Sequence, residues 1–188
     1  SCNAGWLLAA FLLLAGDAIA EQRPGVAYVP RPWNVVEAML DADSIAAGDY
    51  VIDLGSGDGR VVIEAAKQRG AHGMGIELDP NLVSIANREA VRLGVGAKAK
   101  FVSGNLFAFD FSKATVLTMY LLPHINLDLP PRIFQLRPGT RVVAHDFDMG
   151  TRRPALQREV AVPAATSDAP PPPVSRRRVR HDTVPAGD

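Results

Sequence analysis

Apolar residues in this chain fall into short runs separated by glycine, proline and charged positions, and the period of the runs changes along the sequence. "DYVIDLG", beginning at Asp49, reads as a short buried strand, and residues 59–68 carry their apolar side chains on one face before Gly70, a helix with a glycine stop. "GMGIEL" is a second strand. Asp79 then caps a helix with Pro80 at its first position, whose apolar stripe is Leu82, Ile85, Ala86, Ala90 and Leu93 before Gly94. "AKFVSG", "ATVLTMYL" and "TRVVAHDF" follow as third, fourth and fifth strands, with a helix through "PRIFQL" and an "RPG" turn between the last two. Upstream, "WNVVEAML" reads as an amphipathic helix beside the first strand. Strand alternating with helix predicts an α/β fold, a doubly wound and mainly parallel sheet with helices on both faces.

The two ends break the pattern. Residues 5–16, "GWLLAAFLLLAG", are an uncharged apolar run followed by small residues at Ala18 and Ala20, the shape of a secretory leader with a cleavage site before Glu21. The run is shorter than the roughly 20 residues a membrane span needs, so residues 1–20 are expected to be a signal-peptide-like leader or a membrane tether, or else a buried N-terminal helix. From 151 to 188 there is no aromatic residue, and "PPPP" and "RRRVR" dominate. Such a composition predicts a disordered tail, leaving 21–150 as the folded domain. The chain has 188 residues and 20 basic against 20 acidic side chains, so its overall charge offers nucleic acid no basic face. Its single cysteine and four scattered histidines have no metal-ligand spacing, so no metal site is expected.

The chemistry concentrates in "VIDLGSGDGR", residues 51–60. A turn stripped of side chains at the carboxyl end of a parallel strand lets backbone amides approach a ligand closely. Gly55, Gly57 and Gly59 alternate with Ser56 and Asp58, a spacing unlike that of a dinucleotide loop. Asp53 and Asp58 would repel a pyrophosphate and suit a ligand carrying positive charge. Glu77, at the end of the second strand, is placed to accept both hydroxyls of a ribose. Together these predict a nucleoside cofactor with a cationic arm, for which S-adenosylmethionine, with its sulfonium and ammonium, is the match; a tight glycine turn with incidental acids and an NAD site are the alternatives.

"DLGSGDGR", "GIELDP" and "GNLF" resemble the first three motifs of the class I methyltransferases. The longer string "YVPRPWNVVEAML", "LGSGDGRVVIEAA" and "VVAHDFDMG" resembles more narrowly the ATP-synthase c-subunit lysine methyltransferase family and its bacterial relatives, from about Tyr28 to Gly150. The resemblance implies a Rossmann-like sheet and S-adenosyl-L-methionine as cofactor. It implies that Asp53, Gly55 and Gly57 line the methionine portion, with Ser56, Asp58 and Gly59 in the same loop. Glu77 then meets the ribose, Leu78 the adenine face, and Asn105, with Leu106 beside it, the adenine edge. Members of this class close their sheet with two further strands, and here only "REVAVPA" is on offer, so those strands are expected to be absent.

The fourth strand ends in "YLLPH" rather than in the acid-Pro-Pro-aromatic motif of base methylases, which disfavours a nucleic-acid acceptor. Tyr120 either bounds the acceptor channel or is a core tyrosine. His124 is either a general base or a surface histidine. With Leu121, Leu122 and Pro123, and Trp33 as a further wall, these residues outline an apolar channel for an amine. The expected acceptor is a protein lysine near a membrane; a small molecule, or a cofactor-binding module without turnover, are the alternatives. Because S-adenosylmethionine is made in the cytoplasm, a tether with the domain facing inward fits better than secretion.

Overall fold

Tyr50–Leu54, the strand that opens the glycine loop, lies inside the sheet with a parallel strand on either side and is buried along almost its whole length. The computed structural model describes residues 31–121, 129–145, 156–162 and 175–185. In chain order its elements are α1 (Trp33–Ala42), β1 (Tyr50–Leu54), α2 (Arg60–Arg69), β2 (His72–Glu77), α3 (Pro80–Arg92) and β3 (Ala99–Ser103). Then come β4 (Val116–Met119), α4 (Pro130–Ile133), β5 (Arg141–His145), β6 (Leu156–Val162) and β7 (Ser175–Thr183). The sheet order is β3-β2-β1-β4-β5-β7-β6, with the first five parallel and β7 antiparallel to both of its neighbours. From β1 the chain runs outward to β2 and β3, then returns to start β4 on β1's other side. The carboxyl ends of β1 and β4 therefore flank the point where the order reverses, the place where open α/β sheets bind ligands.

Alternation along the strands divides the core. Ile52 and Leu54 of β1 and Leu117 and Met119 of β4 join Phe111, Leu129, Ile133 and Val142 on one face. Val51 and Val116 meet Val36, Leu40, Val61 and Ala65 of α1 and α2 on the other. Asp53 shares its face with Val51, and Thr118 shares its face with Val116, so two polar side chains point toward the α1 and α2 layer at the carboxyl ends of their strands. α3 is seated through Ala86 and Ala90 on Ala99 and Phe101 of β3. Its start is fixed by the predicted cap: the Asp79 carboxylate accepts the Asn81 amide at 2.8 Å, and Pro80 is the first helical residue.

The predicted sheet is present, but the expected loss of its last two strands is not. β6 and β7 run through the segment expected to be a disordered tail, β7 pairing with β5 from Arg141↔Thr183 to His145↔Val179 and with β6 from Leu156↔His181 to Val162↔Ser175. Composition misled because a ladder is built from backbone donors and acceptors, which a run of arginines supplies as well as a run of valines. β7 covers the edge that β5 would otherwise expose. Immediately after it, Val184 is buried against the Ile52–Leu117 side of the core, and its amide donates to Thr140 O at 2.9 Å. The fold therefore extends past residue 150 to at least 184. The apolar run 5–16, the "PPPP" run, and Leu122, Pro123 and His124 lie outside the described residues.

Candidate active site

The loop after β1 is closed by its own backbone. Gly55 and Ser56 both donate to Ile76 O of β2, at 2.9 and 3.1 Å, and Gly59 donates to Ser56 O at 2.9 Å. Gly55, Gly57 and Gly59 have φ of 71°, 56° and 83°, a left-handed region that other residues enter at a cost. Two of them are also tightly approached: a Cβ on Gly55 would stand 2.6 Å from Leu121 Cδ2, and one on Gly59 would stand 2.5 Å from the Phe101 ring. The glycines thus let the loop fold down against β4 and β3 at once. Ser56 is buried beneath it, and its Oγ has no hydrogen-bond partner among the described residues.

Glu77 stands at the end of β2 facing this loop. Its Oε2 accepts the Gly57 amide at 2.8 Å, and its Oε1 accepts the amides of Leu78 and Asp79 at 2.8 and 3.1 Å. Leu78 beside it is 74% exposed, a large apolar side chain left open next to a carboxylate. Asn105 is exposed after β3, and its Oδ1 accepts the Phe107 amide at 2.9 Å; Leu106 packs on the core. The Arg132 guanidinium holds this loop by donating to the carbonyls of Leu106, Phe107 and Phe109 at 3.1, 2.5 and 2.7 Å.

The two aspartates do not form the open negative cradle that their spacing predicts. Asp53 is fully buried and accepts from both terminal nitrogens of Arg31 at 3.3 Å and from the Thr118 hydroxyl at 2.6 Å. Burial pushes its carboxyl above the ordinary value, and the guanidinium and the hydroxyl pull it back. Asp58 pairs with Arg60, whose Nη2 lies 2.6 Å from Oδ2. Each acid thus carries its own arginine. The pairing of Arg31, which stands inside the quoted "YVPRPWNVVEAML" string, with Asp53 was not foreseen from sequence, and Thr118 was missed, although a lone polar residue inside "VLTM" was a signal for it.

Tyr120 and Leu121 leave β4 directly over Gly55, and the Arg31 guanidinium lies 5.5 Å from the Tyr120 ring centroid. Trp33, expected as another wall of the same channel, is 55% exposed with the Arg60 guanidinium 4.8 Å over its ring. It lines a separate cleft of about 190 Å³ with Asp58, Arg60, Ile63, Ile85, Glu89 and Leu93, which Tyr120 and Leu121 do not line. As the first residue of α1 it belongs to the helical layer. Among the described residues no three His, Cys, Asp or Glu side chains are grouped to hold a metal.

A nucleoside fits what is present: a carboxylate with an exposed leucine at the end of one strand, an amide-lined glycine loop on the next, and a polar side chain after the third. The family model of the ANTKMT methyltransferase domain matches residues 53–156, from the end of β1 to the first residue of β6. The chain belongs to this methyltransferase family. Over 128 residues the methyltransferase is 42% identical to a protein-lysine N-methyltransferase of Saccharolobus islandicus, covering 67% of this chain and 80% of that one. It is 38% identical over 121 residues to the human ATP-synthase c-subunit lysine N-methyltransferase, covering 64% of this chain and 51% of that one. Among solved structures, an RNA methyltransferase from Salinibacter ruber in complex with S-adenosyl-L-homocysteine superposes with a TM-score of 0.73 at 44% identity, covering 85% of this chain and 96% of that one.

Proposed function

We propose that this methyltransferase uses S-adenosyl-L-methionine to methylate a lysine side chain of a protein. The observation that carries the reading is the 42% identity to a protein-lysine N-methyltransferase over four fifths of that relative's length, joined to a site in which Glu77 and the glycine loop meet through one hydrogen bond. In this reading Glu77 accepts the ribose hydroxyls, Leu78 covers the adenine face, and Asn105 with Leu106 borders its edge. Gly55, Ser56, Gly57, Asp58 and Gly59 form the floor, and Asp53 supports the methionine end from within the sheet.

Bound S-adenosylmethionine supplies an electrophilic methyl group on a good leaving group, so the chain's own task is alignment and exclusion of water. A lysine ammonium, with a reference pKa of about 10.4, attacks only after losing its proton, and an apolar approach favours the neutral amine. Tyr120 and Leu121, above Gly55, form the described part of that approach. The rate is therefore expected to rise with pH through the neutral-to-alkaline range.

An RNA acceptor is the second reading, favoured by the Salinibacter structure's description as an RNA methyltransferase. The balanced charge and the absence of an acid-Pro-Pro-aromatic run after β4 weigh against it. A small-molecule acceptor is the third. The idea of a binding module without turnover rested on missing strands and loses that ground with β6 and β7 in the sheet. Incubation of the protein with labelled cofactor and a cell extract separates the remaining readings. Methyl label on lysine side chains supports the proposal, and label on RNA or on a metabolite with protein unlabelled overturns it.

The apolar run 5–16 supports a further part of the reading, a domain tethered to a membrane and facing the cytoplasm, with its acceptor in that membrane. In this reading the run itself is the tether; no described helix is long and apolar enough to cross a membrane. Fractionation tests it: protein and labelled acceptor are expected in the membrane pellet, and recovery of both in the supernatant overturns the tether.

A further inference from the structure

The reversal point between β1 and β4 holds a cation of the chain's own. Arg31 is only 5% exposed, and its guanidinium bridges Asp53, on β1, and the ring of Tyr120, just past β4. Its backbone carbonyl also accepts from Arg60 at the start of α2, so the residue is fixed at main chain and side chain alike. Asp53 is fully enclosed, and its oxygens are already occupied by Arg31 and Thr118. A ligand's ammonium would have to displace one of these donors to pair with that carboxylate. Arg31 is different: a guanidinium presents five N–H donors in one plane, and pairing with one carboxylate leaves others for a second.

The geometry points to Arg31 as the residue that receives the carboxylate of the cofactor's amino-acid arm, with Asp53 and Thr118 acting behind it to hold the guanidinium in place. The assignment rests on the S-adenosyl reading and deepens it. It gives the buried ion pair a reason to stand at the crevice: a desolvated charge pair alone adds little stability over an apolar replacement, whereas a preoriented fork recognises a carboxylate in a fixed direction. Asp53 then serves the methionine end through Arg31, and the acid of the glycine motif is a positioning residue. The arm brings its own ammonium, so the second carboxylate beside Asp53 does not arrive uncompensated.

Calorimetry with three ligands tests it: S-adenosylmethionine, decarboxylated S-adenosylmethionine, which lacks only the carboxylate, and methylthioadenosine, which lacks the amino-acid arm. The wild-type protein is expected to bind S-adenosylmethionine at least about tenfold tighter than the decarboxylated form, as befits a charge-assisted contact. In Arg31→Met that preference disappears while methylthioadenosine affinity stays within about twofold, and Arg31→Lys recovers part of the preference. Because Arg31→Met leaves a buried carboxylate without its cation, the double variant Arg31→Met/Asp53→Asn, in which Thr118 still has an oxygen to donate to, repeats the comparison in a neutral background. Retention of the full preference in either variant, or its absence in the wild type, overturns the assignment and leaves the cofactor reading standing. A wild-type protein that binds none of the three overturns both.

Discussion

Glu77 and Gly57, twenty residues apart, are joined by a 2.8 Å hydrogen bond from the glycine amide to the carboxylate. The end of β2 and the loop after β1 are therefore one unit, and a ribose held by Glu77 would be held against that loop. Glu77→Ala takes the acceptor away from the amides of Gly57, Leu78 and Asp79 together. It is expected to weaken S-adenosylhomocysteine and methylthioadenosine alike, by about tenfold or more, because both carry the ribose. Calorimetry checks this, and unchanged affinity for both ligands would end the nucleoside reading. The pattern differs from that expected of Arg31, where only ligands bearing the carboxylate lose affinity.

Gly55 offers a second test, this time of the loop's fit against β4. An alanine there enters the left-handed region at φ 71° and brings its Cβ to 2.6 Å from Leu121 Cδ2. Backbone strain alone costs about 1–2 kcal/mol, and Leu121 must also shift. Gly139→Ala, with φ 86° but no atom within 4 Å of the new Cβ, carries the strain alone. Both variants should lose thermal stability, and Gly55→Ala alone should also lose affinity for S-adenosylhomocysteine. Equal ligand affinity in the two variants would show that the loop's seat on Leu121 does not matter to the site.

The first half of the sheet could be read from sequence because its signals are local. The strand, glycine loop and helix of residues 50–69 are contiguous, and Asp79 caps α3 through an amide two residues away. What sequence hid was the partner of each charge. Asp58 and Arg60 are two apart, close enough to have been paired on sight. Arg31 and Asp53 are joined only because β1 and the start of α1 meet at the same end of the sheet. The last strands were hidden for a related reason: what stabilises β7 is its neighbours β5 and β6, and a charged segment does not announce a ladder.

The ordered end of the chain gives the third prediction. Val184 is buried beside Leu117, Leu129 and Val142, and is stitched by backbone hydrogen bonds to Gly139 and Thr140. Val184→Ala is expected to cost about 1–3 kcal/mol, lowering the melting midpoint by several degrees, and Val184→Asp is expected to cost more. Deleting 175–188 should be worse still, since it removes both Val184 and the strand that covers β5. A melting midpoint unchanged by all three would restore the disordered tail.

The fourth concerns Asp43, just past the end of α1, near the amino-terminal ends of β1 and β5 and so at the opposite end of the strands from the glycine loop. It is buried beside Arg141, whose guanidinium donates to the Asp43 backbone carbonyl and pairs with the Asp49 carboxylate. Burial pushes the Asp43 carboxyl up from 3.8 to about 7, against the pull of Arg141 and with a smaller push from Asp49. Because the folded value is the higher one, the fold holds a proton between about pH 4 and pH 7 that the unfolded chain has released. Stability from this group is therefore greatest at low pH, declines as pH rises through that window, and is flat above it. Each pKa unit is worth about 1.4 kcal/mol, so the cost above pH 7 amounts to a few kcal/mol. Asp43→Asn cannot ionise; it should melt higher than wild type at pH 8, with the gap closing toward pH 5. Parallel melting profiles for the two proteins across that range would show that Asp43 is ionised in the fold at no cost.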